Sequence, residues 1–178
     1  ISNYVEKLEA HINKYNMSQT GIYNSTELAL PNVLLSVPAD RVIAGIKPTG
    51  ADNETAAATL YNNVLAWEDL MHVVNTTQGI DNTLENSDME SRQNIRYMRM
   101  FANAFMYAAG SHIGIGYGSV AGLCCGKPVS MLPDGATANN LFGWGIAHEI
   151  GHNMDKLGKA EITNNIYSLM AQTYDGKD

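Results

Sequence analysis

Apolar residues recur at intervals of three and four over residues 53–77, at Ala57, Leu60, Val64, Trp67, Met71 and Val74. That period puts them on one stripe of a long helix. Asp52 or Asn53 is placed to cap its start and Gly79 to end it. A shorter stripe, Tyr4, Val5, Leu8 and Ile12, predicts a helix over 2–15 with Ser2 as its cap. Val33–Val37 is rich in branched residues and stopped by Pro38, which reads as a strand. Residues 40–46 suit a short helical turn ending at Gly45, and 47–50 a turn. The polar run 80–93 reads as a surface loop. Residues 95–101 suit a strand, and 102–109 fit either strand or helix. Residues 111–119 alternate small residues with Ile and Tyr. Glycine weakens a strand unless another backbone must come close. This segment is therefore expected to be an edge strand, bordering a cleft and holding substrate in extended form.

The last third predicts two helices. After a Pro-Asp-Gly turn at 133–135, one runs over about 137–157 and closes at Gly158. The other covers about 160–173, with Ile162, Ile166, Leu169 and Met170 facing inward. The implied fold class is α+β. A twisted, mostly antiparallel sheet lies on a backing helix near 53–77 and on the helix near 137–157.

The helix over 137–157 carries His148, Glu149, Ile150, Gly151 and His152, an HExxH pentad. Residues four apart share a helical face, so the two imidazoles can meet at one point. Glu149 stands beside that point, where it can take a proton from metal-bound water. The pentad alone is a modest signal, since three fixed positions in five arise by chance. Its surroundings strengthen it. Leu141, Phe142, Trp144, Ile146, Ala147, Ile150 and Met154 make the helix apolar almost all round. Buried histidines and a buried carboxylate need a partner such as a metal. Gly151 costs about 1 kcal/mol in a helix interior relative to alanine, so something must need the space.

Glu161 follows across the Gly158 turn and is the preferred third ligand. Two His and one Glu leave a fourth position for water, the catalytic zinc arrangement for one ion. Asp155 competes for that role but lies three residues after His152 on the same helix, at a poor angle. Asn165, one turn beyond Glu161, is placed to accept from the outward nitrogen of His148 and fix its tautomer.

The totals narrow the partners. The chain has 178 residues, enough for a single domain, with 45% hydrophobic and 16% charged residues. A net charge of −7 argues against nucleic acid or an anionic membrane as partner. No apolar run reaches the ~18 residues of a membrane span, so no insertion is expected. Cys124 and Cys125 are adjacent, which disfavours both a structural disulfide and a zinc ribbon. The chain starts at Ile1 and stops soon after an apolar helical pattern, so it reads as a piece of a longer protein.

HExxH, a glycine-closed turn and a glutamate on the next helix together resemble the gluzincin pattern of zinc peptidases. Familiar gluzincins have a longer spacer, and an acidic residue where this chain has Asn165. The text from Trp144 through His148-Glu149-Ile150-Gly151-His152-Asn153, then Glu161-Ile162-Thr163-Asn164-Asn165, is similar to the enhancin-like, mucin-degrading metallopeptidases of bacteria and insect viruses. The close match covers about 141–170. The resemblance implies a zincin-like catalytic domain and a zinc endopeptidase acting on O-glycosylated, mucin-type glycoproteins. It also implies carbohydrate-binding modules elsewhere in the full chain, and secretion or cell-surface attachment. It implies that a C-terminal subdomain completing the cleft is missing here. Family members often carry Gln soon after the second His, where this chain has Met154-Asp155, which puts any substrate contact there in doubt. Such enzymes stabilise an oxyanion with Tyr, His or Arg, for which His112 and Tyr117 are the local candidates. Two other readings stay open at this point. One is a metal-dependent amidase or aminopeptidase acting on small substrates. The other is a non-catalytic, zinc-stabilised module that binds glycan or protein.

Overall fold

A computed structural model describes residues 1–15, 17, 21–80, 92–116, 144–155 and 157–174. Helix α1 (Ser2–Lys14) is followed by strands β1 (Thr26–Ala29) and β2 (Val33–Val37), then by helices α2 (Ala39–Ile46) and α3 (Asn53–Gln78). Strands β3 (Gln93–Met98), β4 (Met106–Ala108) and β5 (Ile113–Gly116) come next, and helices α4 (Trp144–Met154) and α5 (Ala160–Tyr174) close the order. The class is α+β, as expected. No helix among the described residues is long and apolar enough to cross a membrane.

The long helix forms where its stripe predicts, and its caps are those of the sequence. The Asp52 side chain accepts the Thr55 N–H, and Gly79 ends the helix in the left-handed region at φ 77. Leu60, Trp67, Met71 and Val74 are buried, and Val64 packs against them. Helix α3 packs against β2 and touches all four other helices, so it backs the fold. At the amino end, Ser2 lies inside α1 rather than capping it. The N-cap is Ile1, with no side-chain hydrogen bond.

The sheet has the order β1-β2-β3-β5-β4. It is mixed, not mostly antiparallel. Strands β1 and β4 run antiparallel to their neighbours, while β2–β3 and β3–β5 are parallel. The cause is connectivity. Helices α2 and α3 lie between β2 and β3, and such a crossover returns the chain to the same end of the sheet. The sequence pattern does not predict strand β1.

The edge expectation is also corrected. Strand β5 is internal, with all four residues buried, and β4 is the strand at that edge among the described residues. Gly114 is needed for a neighbouring side chain, not for a substrate. A Cβ there would stand 2.2 Å from Cε1 of Tyr107, whose ring crosses the strand.

Helix α5 presents an unexpected face. Ile162, Ile166, Leu169 and Met170 are exposed, at 70%, 49%, 54% and 43%. Asn164, Tyr167, Ser168 and Ala171 are buried instead. Hydrophobic periodicity fails here because α5 docks on α4 through small and polar side chains. Ser168 Oγ donates to the Trp144 carbonyl at 2.8 Å, and Gln78 Nε2 donates to the Met154 carbonyl at 3.1 Å. The Tyr167 hydroxyl donates to the other end of the Gln78 amide.

Candidate metal centre

Helix α4 ends at Met154, earlier than the sequence suggests, and Gly158 sits in the following turn at φ 68. That turn lets α5 fold back against α4. Its first residues are fixed by Asp155, which accepts the Thr163 hydroxyl at 2.5 Å and the Leu157 N–H at 2.8 Å. Those bonds, the Thr163 one foremost, hold the Asp155 carboxyl below its ordinary pKa. Asp155 is thus engaged in organising the turn.

The fold-back brings His148, His152 and Glu161 together, with ligand atoms all within 4.8 Å of one another. His148 Nε2 lies 3.3 Å from one Glu161 carboxylate oxygen, and His152 Nε2 lies 3.3 Å from the other. The tautomer of His148 follows from its neighbours. Asn165 Nδ2 donates to the Glu161 carbonyl at 2.9 Å, and the Trp144 indole N–H donates to Asn165 Oδ1 at 3.3 Å. Both contacts point Oδ1 at His148 Nδ1, 2.8 Å away, so Nδ1 carries the proton. The Nε2 lone pair of His148 then faces Glu161.

A metal cation, or a proton on Nε2, is what can join an imidazole nitrogen and a carboxylate oxygen at this distance. Zinc bonds of about 2.0–2.2 Å give tetrahedron edges of about 3.3–3.6 Å. Two imidazole nitrogens and a carboxylate are a donor set that suits zinc, and the two 3.3 Å separations match such edges.

Glu149 lies beside this group. It lines a cleft of about 510 Å³ with His148, His152, Asn153 and Glu161 on one side and Met106, Tyr107, Ala108 and Gly110 on the other. Burial pushes its carboxyl above the ordinary carboxylate range, with His152 and His148 acting against the shift and Glu161 adding to it. Edge strand β4 forms the opposite wall. Asn153 holds the two walls in register: its Oδ1 accepts the Gly110 N–H and its Nδ2 donates to Gln93 Oε1, both at 3.0 Å.

His112 is not in the cleft lining. Its Nε2 is 2.7 Å from the Tyr107 hydroxyl and its Nδ1 is 3.2 Å from Ser111 Oγ, so it stands behind Tyr107. Tyr117, Leu141, Phe142, the Pro-Asp-Gly turn and both cysteines lie outside the described residues, as do residues 137–143 of the expected helix.

Residues 51–176 match the family peptidase M60, enhancin and enhancin-like. The chain belongs to that family. Among solved structures, it resembles the M60 catalytic domain of Clostridium perfringens ZmpC, determined in complex with the sialyl T antigen. The TM-score is 0.69 at 23% identity, over 97% of this chain and 30% of that one. The C. perfringens ZmpB metallopeptidase aligns with a TM-score of 0.68 at 25% identity, over 98% of this chain and 32% of that one. A functionally unknown protein from Bacillus anthracis aligns at 0.60 and 19% identity, over 85% and 29%. The chain thus spans about a third of the length of these structures. No curated protein matches it.

The sequence pattern assigns no role to Tyr107, Asn153 or Asn164, which the structure places in or beside this candidate site. Asn153 was legible as the polar residue directly after the pentad, on a helix otherwise apolar around it. Asn164 was legible by spacing, three residues after Glu161.

Gly151 is where α4 and α5 touch. A Cβ there would stand 2.7 Å from the Tyr167 ring, 2.8 Å from Asn164 Cβ and 3.0 Å from Asn164 Cα. Gly151→Ala gains about 1 kcal/mol of helix propensity. Overpacking against a neighbouring backbone costs about 1–3 kcal/mol. The expected outcome is a net loss of about 1 kcal/mol in denaturant unfolding, with weaker zinc binding because α5 is pushed away. Unchanged zinc affinity in a destabilised variant would separate helix packing from the metal site.

Proposed function

We propose that this M60 chain is the metal-bearing part of a zinc endopeptidase that cleaves O-glycosylated, mucin-type proteins. The observation that carries the reading is the convergence of His148 Nε2, His152 Nε2 and both Glu161 oxygens beside Glu149 in an open cleft. His148, His152 and Glu161 are the residues that would hold the ion. Zinc supplies Lewis acidity and lowers the pKa of water from 15.7 to about 7.

The chain's own groups account for the rest. Glu149 takes the proton of the attacking water and returns it to the departing amine. Its partly buried position suits that task, because a base works best when its pKa approaches the working pH. Asn165 fixes the His148 ring. The cleft runs along edge strand β4, whose backbone can hold an extended peptide rather than a small molecule.

Mucin-type specificity is supported by family membership and by the sialyl T antigen bound to the structurally similar ZmpC domain. A secreted or surface-attached location, and carbohydrate-binding modules elsewhere in the full protein, belong to the same proposal. ZmpB has been solved together with such modules. The test is digestion of a mucin-type glycoprotein with and without its glycans, with mass mapping of the new termini and a free-ended dipeptide as comparison. Internal cleavage that depends on glycans supports the reading. Cleavage of the dipeptide alone overturns it in favour of a small-substrate amidase.

A further inference from the structure

Glu161, Asn164 and Asn165 share one face of α5, at spacings of three and four. Asn165 serves His148, and Glu161 belongs to the ligand set. Asn164 is fully buried, at 0% exposure, and does not line the cleft. Its Nδ2 lies 3.1 Å from His148 Nε2 and 2.9 Å from His152 Nε2, the two atoms that meet Glu161. Among the described residues, its Oδ1 is buried with no hydrogen-bond partner. A buried, unpaired carbonyl oxygen is rare and calls for a reason. Gly151 leaves the room for this side chain, since any Cβ there would collide with it.

We propose that Asn164 is a metal-facing residue. With a divalent cation on the two imidazoles, its amide turns end for end, and Oδ1 faces the cation from the buried side of the site. The reason is the chemistry of the two ends. One Nε2 lone pair cannot serve both an N–H donor and a cation, and the partly positive NH₂ group is repelled by the ion. The amide oxygen has lone pairs and no proton, which suits a divalent cation. The ends have nearly the same shape, so the turn needs only rotation about the last side-chain bond. The turn gives Oδ1 a partner in the cation and moves the NH₂ group into the buried pocket that Oδ1 now occupies. This inference rests on the zinc reading and extends it: a fourth protein group faces the ion while the cleft side stays free for water and substrate.

The test compares two substitutions in the intact protein. Asn164→Asp offers oxygen at both ends. Asn164→Leu has similar size and offers none. Zinc affinity is measured by chelator competition, and the visible spectrum of the cobalt-loaded protein reports the metal's surroundings. Asn164→Asp is expected to bind zinc at least as tightly as the parent. Asn164→Leu is expected to bind about 10–100-fold more weakly, as when a group supporting a metal site is lost, and to change the cobalt spectrum. Equal weakening in both variants, or a Leu variant indistinguishable from the parent, overturns the inference. Should the Leu variant fail to fold by circular dichroism, the Asp variant decides alone: tighter or equal binding supports the inference and weaker binding overturns it. A parent protein that takes up no zinc overturns the metal reading itself.

Discussion

Replacing Glu149 by Gln is expected to lower kcat/KM for glycoprotein cleavage by about 10²–10⁴-fold, with zinc content unchanged. That corresponds to about 2.7–5.4 kcal/mol of lost transition-state stabilisation. The size follows from what Gln cannot do. It matches Glu in shape and still hydrogen-bonds water, but it cannot take the proton and return it to the leaving amine. Metal retention follows from position. Glu149 lines the cleft beside His148 and His152 but is not in the group whose ligand atoms converge. The substitution is mild for the fold, because the carboxyl is partly buried and burial already disfavours its charge. Full activity in this variant would sink the proposed mechanism. Loss of zinc along with activity would recast Glu149 as part of the metal site.

The sequence spoke clearly where one local signal decided the outcome. Helix α3 was legible because its stripe repeats over many turns and both ends carry caps, Asp52 and Gly79. The pentad was legible because two imidazoles four residues apart on a helix can hardly avoid each other. Strand direction was not legible from alternation, which is the same in parallel and antiparallel pairs. Two helices between β2 and β3 would have argued for the crossover. Strand β1 has only four residues, of which Leu28 alone is buried, so it left almost no pattern.

Helix α5 is the instructive failure. Its apolar residues 162, 166, 169 and 170 form the stripe that a burial rule selects, yet they are exposed. The face turned inward carries Asn164, Ser168 and Ala171, because α5 must approach Gly151 closely and deliver polar groups to the two histidines. Close packing around the histidine pair outweighed hydrophobic patterning here, a conflict expected near a candidate site.

The same helix carries the sharpest test of the metal. Glu161→Ala is expected to lower zinc affinity by more than about 100-fold. Losing a residue that only orients a ligand costs about 10–100-fold, and Glu161 supplies one oxygen toward each imidazole. The fold should survive. The Glu161 side chain is 75% exposed, so truncation leaves no cavity. Alanine is the best helix former, and an acidic residue in the first turn contributes only about 0.3–1 kcal/mol. The readout is thermal unfolding with and without zinc. At a zinc concentration 100 times the parent Kd, the ion stabilises the parent by about 2.7 kcal/mol, and this falls below about 0.4 kcal/mol after a 100-fold loss of affinity. The zinc-dependent rise in Tm should therefore nearly vanish, while the Tm without zinc moves little. A variant that keeps the full zinc-dependent rise would place the third ligand elsewhere. Asp155 would not be an easy substitute, because Thr163 and Leu157 already hold its carboxylate in the turn that positions α5.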